Sequence, residues 1–333
     1  MSVTINTLTP FESDYSLVKE KYSWNIGFNP DFSLLRDPSD EYQSFYSDTP
    51  KMLMRLPVSF YHCMHDFLGT LLHIFEINPL TLFIIDTSLV DRTPAASKFA
   101  DFCFKLLDYH AIRYQKINIG AAKSVNLNNF YTRTQRILDH NASNLVMQYT
   151  MPFIKNKNVK PFRKVYVSRK SLSAYKKKEY GPETAKRMTR NTYGRIDNEE
   201  KLENFFINNG FEVVIPEDFV SFEEQLNYFY EVETIVGITG GALTNIMFMQ
   251  RSGTVIELMT TLITAITMPK SLSTKLSSPG FEEGQHHFYH SIAFRKDCNY
   301  VGVPNIDAKA DTLIGRIVNS LPFKFIISEG SNE

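Results

Sequence analysis

Cysteine is scarce in this chain of 333 residues: Cys63, Cys103 and Cys298 are odd in number and far apart. That spacing argues against a disulfide framework and suits reduced thiols in a cytoplasm. No apolar run approaches the length that a bilayer span needs, so no transmembrane segment is expected. Excess charge of either sign is missing too, with 36 Lys and Arg against 36 Asp and Glu. No global field therefore draws the molecule to nucleic acid or an anionic membrane, and charge-driven binding has to come from local patches. The opening segment lacks a basic start followed by an apolar stretch, so the protein is expected to stay in the cytoplasm where it is made. No Asp-x-Asp pair occurs anywhere, which removes the common metal clamp on a nucleotide diphosphate.

What is present is the material of two ordinary cores: 43% of residues are hydrophobic and 13% aromatic. The first sixty residues read as an irregular entry with short strands. Apolar residues then recur at helical spacing over 64–75, followed by a short apolar run over 80–85 that closes on Asp86. A helix over 93–110, a strand over 111–117 and a further helix over 130–140 complete the first half. Residues 151–161, MPFIKNKNVKP, carry prolines at both ends and place a domain boundary. Beyond it come a strand over 164–168, a helix over 198–209 capped by Asn198 and stopped at Gly210, and a strand over 211–215. A helix opened by the Ser221 to Glu224 capping box follows. The succession ends with a strand over 234–238, a glycine turn, a helix over 242–250 and a final strand over 254–258. An amphipathic stretch over 307–321 is expected to pack back. Strands alternating with helices predict an α/β protein with parallel, doubly wound sheets.

Three segments carry chemistry. In TIVGITGGALTN, residues 234–245, a buried strand runs into two glycines and a helix start, a place where backbone approaches a ligand closely and free N–H groups favour phosphate. The same residues would equally serve a tight turn that needs only small side chains. A basic stretch runs from Lys160 to Arg195. Its lysine run, Lys176 to Lys178, reads as a solvated face, whereas Arg169 directly follows a buried strand and could grip a diphosphate with its planar fork. A nucleic-acid reading of this patch finds no recognisable binding module and a neutral chain. In Tyr61-His-Cys-Met-His-Asp66, His62 and Asp66 stand four apart on one helix face, as a general base toward an acceptor hydroxyl would, or as a capping arrangement would. The histidines at 286, 287 and 290 lack a matching Cys or carboxylate and read as structural.

Taken in order and spacing, these segments resemble glycosyltransferase family 61, which includes plant xylosyl- and arabinosyltransferases, protein O-linked N-acetylglucosaminyltransferases and capsule-type bacterial and viral relatives. The likeness rests on Ser168-Arg169, Arg195-Ile-Asp-Asn198-Glu199, Gly210-Phe-Glu-Val-Val214, Gln225, Gly237-Ile-Thr239-Gly240-Gly241-Ala242-Leu243-Thr244-Asn245 and Val255-Ile-Glu257. In the first half, His62 and Asp66 echo the family's His-x-x-x-Asp, with Ser59 where an Asn often stands. The resemblance implies a GT-B architecture of two Rossmann-like domains facing a central cleft: residues 1–155 on the acceptor side, 156–300 binding the nucleotide sugar, and 301–333 as a returning helix and tail. It implies an inverting, metal-independent transfer of a sugar from a nucleotide donor, UDP by resemblance, to a hydroxyl of a glycan or polysaccharide, with no cofactor and no nucleic-acid partner. The absence of an anchor points to a bacterial or viral cytoplasmic version. Arg169, Arg195, Thr239, Gly240, Gly241, Ala242, Thr244, Asn245 and Glu257 would hold the donor. Asp66, with His62 or His65 as the alternative, would take the acceptor's proton. One departure stands out, because the family's His in the glycine motif is Thr239 here. A catalytically degenerate nucleotide-sugar-binding or scaffolding protein is therefore the second reading.

Overall fold

The computed structural model describes residues 15–18, 51–77, 79–88, 90, 97–118, 130–133, 142–169, 196, 198–259, 289, 292–293, 296–303 and 309–319. It divides into two units, Met1–Phe153 and Ile154–Glu333. Among the described residues no helix is long and apolar enough to cross a membrane.

In the first unit, strands β1 (Tyr15–Val18) and β2 (Lys51–Arg55) precede a π-helical segment, His62–Gly69, that runs into helix α1 (Thr70–Ile77). Then come β3 (Leu82–Asp86), α2 (Ser97–Tyr109), β4 (Tyr114–Ile117), β5 (Phe130–Arg133) and α3 (Ala142–Thr150). The sheet runs β1-β5-β2-β3-β4, parallel except where β1 meets β5. Residues 130–133, expected to begin a helix, form a strand instead. Phe-Tyr-Thr is aromatic and β-branched, suited to a pleated surface, and it is paired on both sides; residues 134–140 of that expected helix lie outside the described residues. The expected 64–75 helix exists with a change of winding inside it. Phe67, Leu68, Leu71 and Leu72 are fully buried along it.

In the second unit, β6 (Arg163–Val167), α4 (Glu199–Asn208), β7 (Glu212–Val214), α5 (Phe222–Tyr230) and β8 (Val232–Ile238) lead to a 3₁₀ segment, Gly241–Phe248. Strand β9 (Thr254–Leu258), β10 (Asn299–Val303) and α6 (Ala310–Val318) follow. All pairings in the sheet β10-β9-β8-β6-β7 are parallel. This doubly wound order places its switch point between β6 and β8, the position where open α/β sheets bind ligands outside the strands' carboxyl ends. On one face, α4 and α6 bury Leu202, Phe206, Leu313 and Ile317 against Tyr166, Val236, Ile256 and Leu258; Phe206 stacks on Tyr166 at 4.6 Å. Elsewhere in the unit, Phe222 of α5 meets Phe248 of the 3₁₀ segment edge-on at 5.5 Å.

Three local expectations change. Asn198 does not cap α4: it sits in the left-handed region at φ 63° and its side chain makes no capping hydrogen bond. Glu199 and Glu200 supply instead the negative charge that a helix start favours. The helix expected over 242–250 is wound as 3₁₀, and Asn245 Nδ2 donates to the Ala242 carbonyl at 2.8 Å, a side chain competing with the backbone ladder three residues back. The strand over 254–258 is not the last, because β10 adds alongside it. Ser221 does cap α5, its hydroxyl accepting from the Glu224 N–H at 3.1 Å.

Candidate active site

The second unit's switch point is built from the ends of β6 and β8. Val167 closes β6 in a buried row, and the chain turns out through Ser168 and Arg169. Both residues are anchored by α4: Ser168 Oγ donates to Glu203 at 2.6 Å and the Arg169 N–H donates to Glu199 Oε1 at 2.8 Å. Burial first, then the charges of Glu199 and Glu203, push the Tyr166 phenol well above its ordinary value, so it remains neutral beside them.

From this anchored backbone the Arg169 guanidinium crosses to β8, where Nη1 donates to the Thr239 carbonyl at 3.0 Å. Gly240 lets it lie there. A Cβ on Gly240 would come within 3.0 Å of the guanidinium carbon and of Nη1. Gly240 has extended backbone, φ 160° and ψ 171°, so the glycine serves close approach rather than an unusual dihedral. A Cβ on Gly241 would meet nothing within 4 Å. The turn then enters the 3₁₀ segment, whose first N–H groups lack intrahelical acceptors as at any helix start.

Behind the turn the expected donor residues face inward. Thr239 donates its hydroxyl to Glu257 Oε1 at 2.5 Å, and the second carboxylate oxygen accepts from Tyr300 at 2.7 Å. Asn245 Oδ1 accepts from Gln225 Nε2 at 2.8 Å. Thr244 is fully buried and its hydroxyl has no hydrogen-bond partner among the described residues. The structure thus brings together Arg169, Thr239, Gly240, Gly241 and Ala242 at the edge, with Thr244, Asn245 and Glu257 beneath them. Arg195 and the histidines at 286, 287 and 290 lie outside the described residues, as does most of the basic stretch.

In the first unit, the π-helical segment puts two imidazoles on one carboxylate. His62 Nδ1 lies 2.6 Å from Asp66 Oδ2 and His65 Nδ1 lies 3.0 Å from Asp66 Oδ1. Asp66 is 2% exposed. Burial alone would raise its carboxyl, but the hydrogen bonds and charges of His62 and His65 outweigh that and hold it well below the usual carboxylate range. His65 is buried and stacks on Tyr61 at 5.2 Å, whereas the His62 side chain is 22% exposed. Among the described residues, no group of three or more His, Cys, Asp or Glu side chains is arranged to hold a metal ion.

Two features escaped the sequence reading. Arg55 ends β2 and Asp86 ends β3, and the half-buried Arg55 pairs with the fully buried Asp86 at 2.6 Å at the carboxyl edge of the first sheet; Ser88 adds donors from its N–H and hydroxyl. The available signal was a charged residue closing each apolar strand, KMLMR and LFIID. Tyr300 had no signal, since β10 itself was not foreseen.

A family model described as Glycosyltransferase 61 matches residues 60–256, more than half of the chain, from two residues before His62 to one before Glu257. No curated protein matches the chain.

Proposed function

The chain belongs to glycosyltransferase family 61 and is a glycosyltransferase, and on that premise we propose that it moves a sugar from a UDP-linked donor to a hydroxyl of a glycan or polysaccharide, with inversion and without a bound metal, in a GT-B arrangement. The observation that carries the reading is the Arg169 guanidinium laid across Gly240 at the switch point of the second sheet. A cation and a helix start at that edge suit the negative charge that grows on a departing diphosphate.

The base is His62 in this reading. A carboxylate held as low as Asp66 is a poor final acceptor for a proton, but it is a good partner for an imidazole N–H. In the tautomer with Nδ1–H donated to Asp66, Nε2 of His62 is the nitrogen that takes the acceptor hydroxyl's proton. The acceptor oxygen then attacks the anomeric carbon, its proton passes to His62, and the bond from that carbon to the diphosphate oxygen breaks. Arg169 and the turn's N–H groups stabilise the leaving diphosphate.

The degenerate reading draws on Thr239, whose hydroxyl is committed to Glu257. A thermal-shift screen against UDP, GDP, CMP and their sugar conjugates, with and without chelator, separates the two when paired with an assay for released UDP. A shift with a UDP-sugar that survives chelator, together with UDP release in the presence of acceptor, supports the transferase. Binding without release favours the degenerate nucleotide-sugar-binding protein, and no shift with any nucleotide sinks the transferase and leaves the scaffolding reading.

Gly240→Ala tests the same site from the backbone side. Alanine tolerates the extended conformation, so the unfolding temperature should hold, while the displaced guanidinium should weaken UDP binding by about tenfold or more, the scale of a lost charge-assisted hydrogen bond. Calorimetric titration with UDP reads the change; unaltered affinity would detach the glycine from the ligand.

A further inference from the structure

A glutamate buried in a sheet is costly unless both oxygens are satisfied, and Glu257 is 2% exposed. Its strand neighbours are both glycines: Gly237 of β8 stands opposite on one side and Gly302 of β10 on the other. The space over the two glycines is taken by Met259, against Gly302, and Leu243, against Gly237, and the carboxylate is met by residues two positions away from each glycine. From just past the end of β8, Thr239 donates to Oε1; from β10, Tyr300 donates to Oε2. The Tyr300 phenol is raised above its ordinary value by burial first and then by the Glu257 charge, so it keeps the proton it donates.

Thr239 is also fixed through its backbone. Its N–H donates to the Leu258 carbonyl at 3.0 Å, and its own carbonyl takes the Arg169 guanidinium at 3.0 Å. A continuous run of contacts therefore leads from β10 to the cation of the donor site, through Tyr300, Glu257, Thr239 and Arg169. Tyr300 lies beyond the span matched by the family model.

We propose that Tyr300 and Glu257 are positioning residues of the donor site, which set the Thr239 peptide and through it the place of the Arg169 guanidinium. The inference rests on the donor-site reading above. It assigns Glu257 to holding the turn rather than to touching the nucleotide, and it gives Thr239 a role that needs only a hydroxyl and a fixed carbonyl.

Tyr300→Phe keeps the ring and removes one donor to the carboxylate. It should raise the donor KM and the Kd for UDP by about three- to tenfold, the scale of one lost hydrogen bond, and leave the acceptor KM unchanged. Thr239→Val should do the same. Because the two act in series, Tyr300→Phe added to Thr239→Val should change the Kd for UDP no further. A lower unfolding temperature with wild-type UDP affinity would reduce Tyr300 to a structural role and overturn the proposal, as would additive effects in the double variant. Arg169→Ala is the control. If it too leaves UDP binding intact, the donor-site reading itself fails; if it abolishes binding while Tyr300→Phe does nothing, only the positioning inference falls.

Discussion

Arg169→Ala is expected to lower kcat by about a hundred- to a thousandfold and to weaken UDP binding, with the fold retained. The magnitude is that of removing one preorganised donor from a site where charge develops in the transition state. The fold should survive because the residue's structural contact with α4 is made by its backbone N–H to Glu199, which alanine keeps. Arg169→Lys should recover only part of the loss, since a point charge cannot hold the Thr239 carbonyl and a phosphate oxygen as a planar fork does. The check is steady-state kinetics with UDP-sugar beside calorimetric UDP titration. Wild-type kcat in Arg169→Ala would remove the residue from the chemistry.

His62→Ala is the second large effect, a fall in kcat of about a hundred- to ten-thousandfold, the usual range for a lost general base, with the Kd for UDP unchanged. Asp66→Asn should also cut kcat while leaving donor binding alone, because the amide cannot fix the imidazole as the anion does. The two variants part company in stability. The folded-state pKa of Asp66 is depressed, so the carboxylate contributes stability that is fully present above its unfolded value of about 4 and is lost as pH falls through its lower folded value. The stability advantage of the native protein over Asp66→Asn should therefore be greatest at neutral pH and shrink in acid. Denaturant midpoints measured from pH 7 down to pH 3 test this, and a gap that stayed constant would contradict the ionised, doubly bonded carboxylate.

Much of the second unit was legible in the sequence because its strands are short apolar runs closed by turn residues. KVYVS, TIVGI and TVIEL each read as buried strands, and Ser221 with Glu224 announced α5. The meeting of Arg169 with the glycine turn was legible as well, since both follow strands of one parallel sheet. Other features depend on contacts distant in sequence. Strand β5 forms because β1 and β2 flank it, against a local pattern that suited a helix. Strand β10 is placed by pairing with β9 some 40 residues earlier. The inward commitment of Thr239 required knowing that Gly237 and Gly302 flank Glu257. The His62 and Asp66 pairing was visible as a spacing, but the second imidazole on the same carboxylate depends on a winding that the spacing does not reveal.

That winding has a consequence for how such a site varies over generations. A π-helical stretch is the shape a helix takes when it carries more residues than the α ladder can register, and it occurs often where function resides. In His62–Gly69 the additional length turns His62 and His65 onto Asp66 together. Insertions and deletions, more than replacements of one apolar residue by another, are then the lesions to which this part of the chain is exposed: a frame shorter by a single residue beyond Asp66 would let the helix relax to its ordinary pitch, intact and well packed, with His62 still four residues from Asp66 but His65 turned away from the carboxylate.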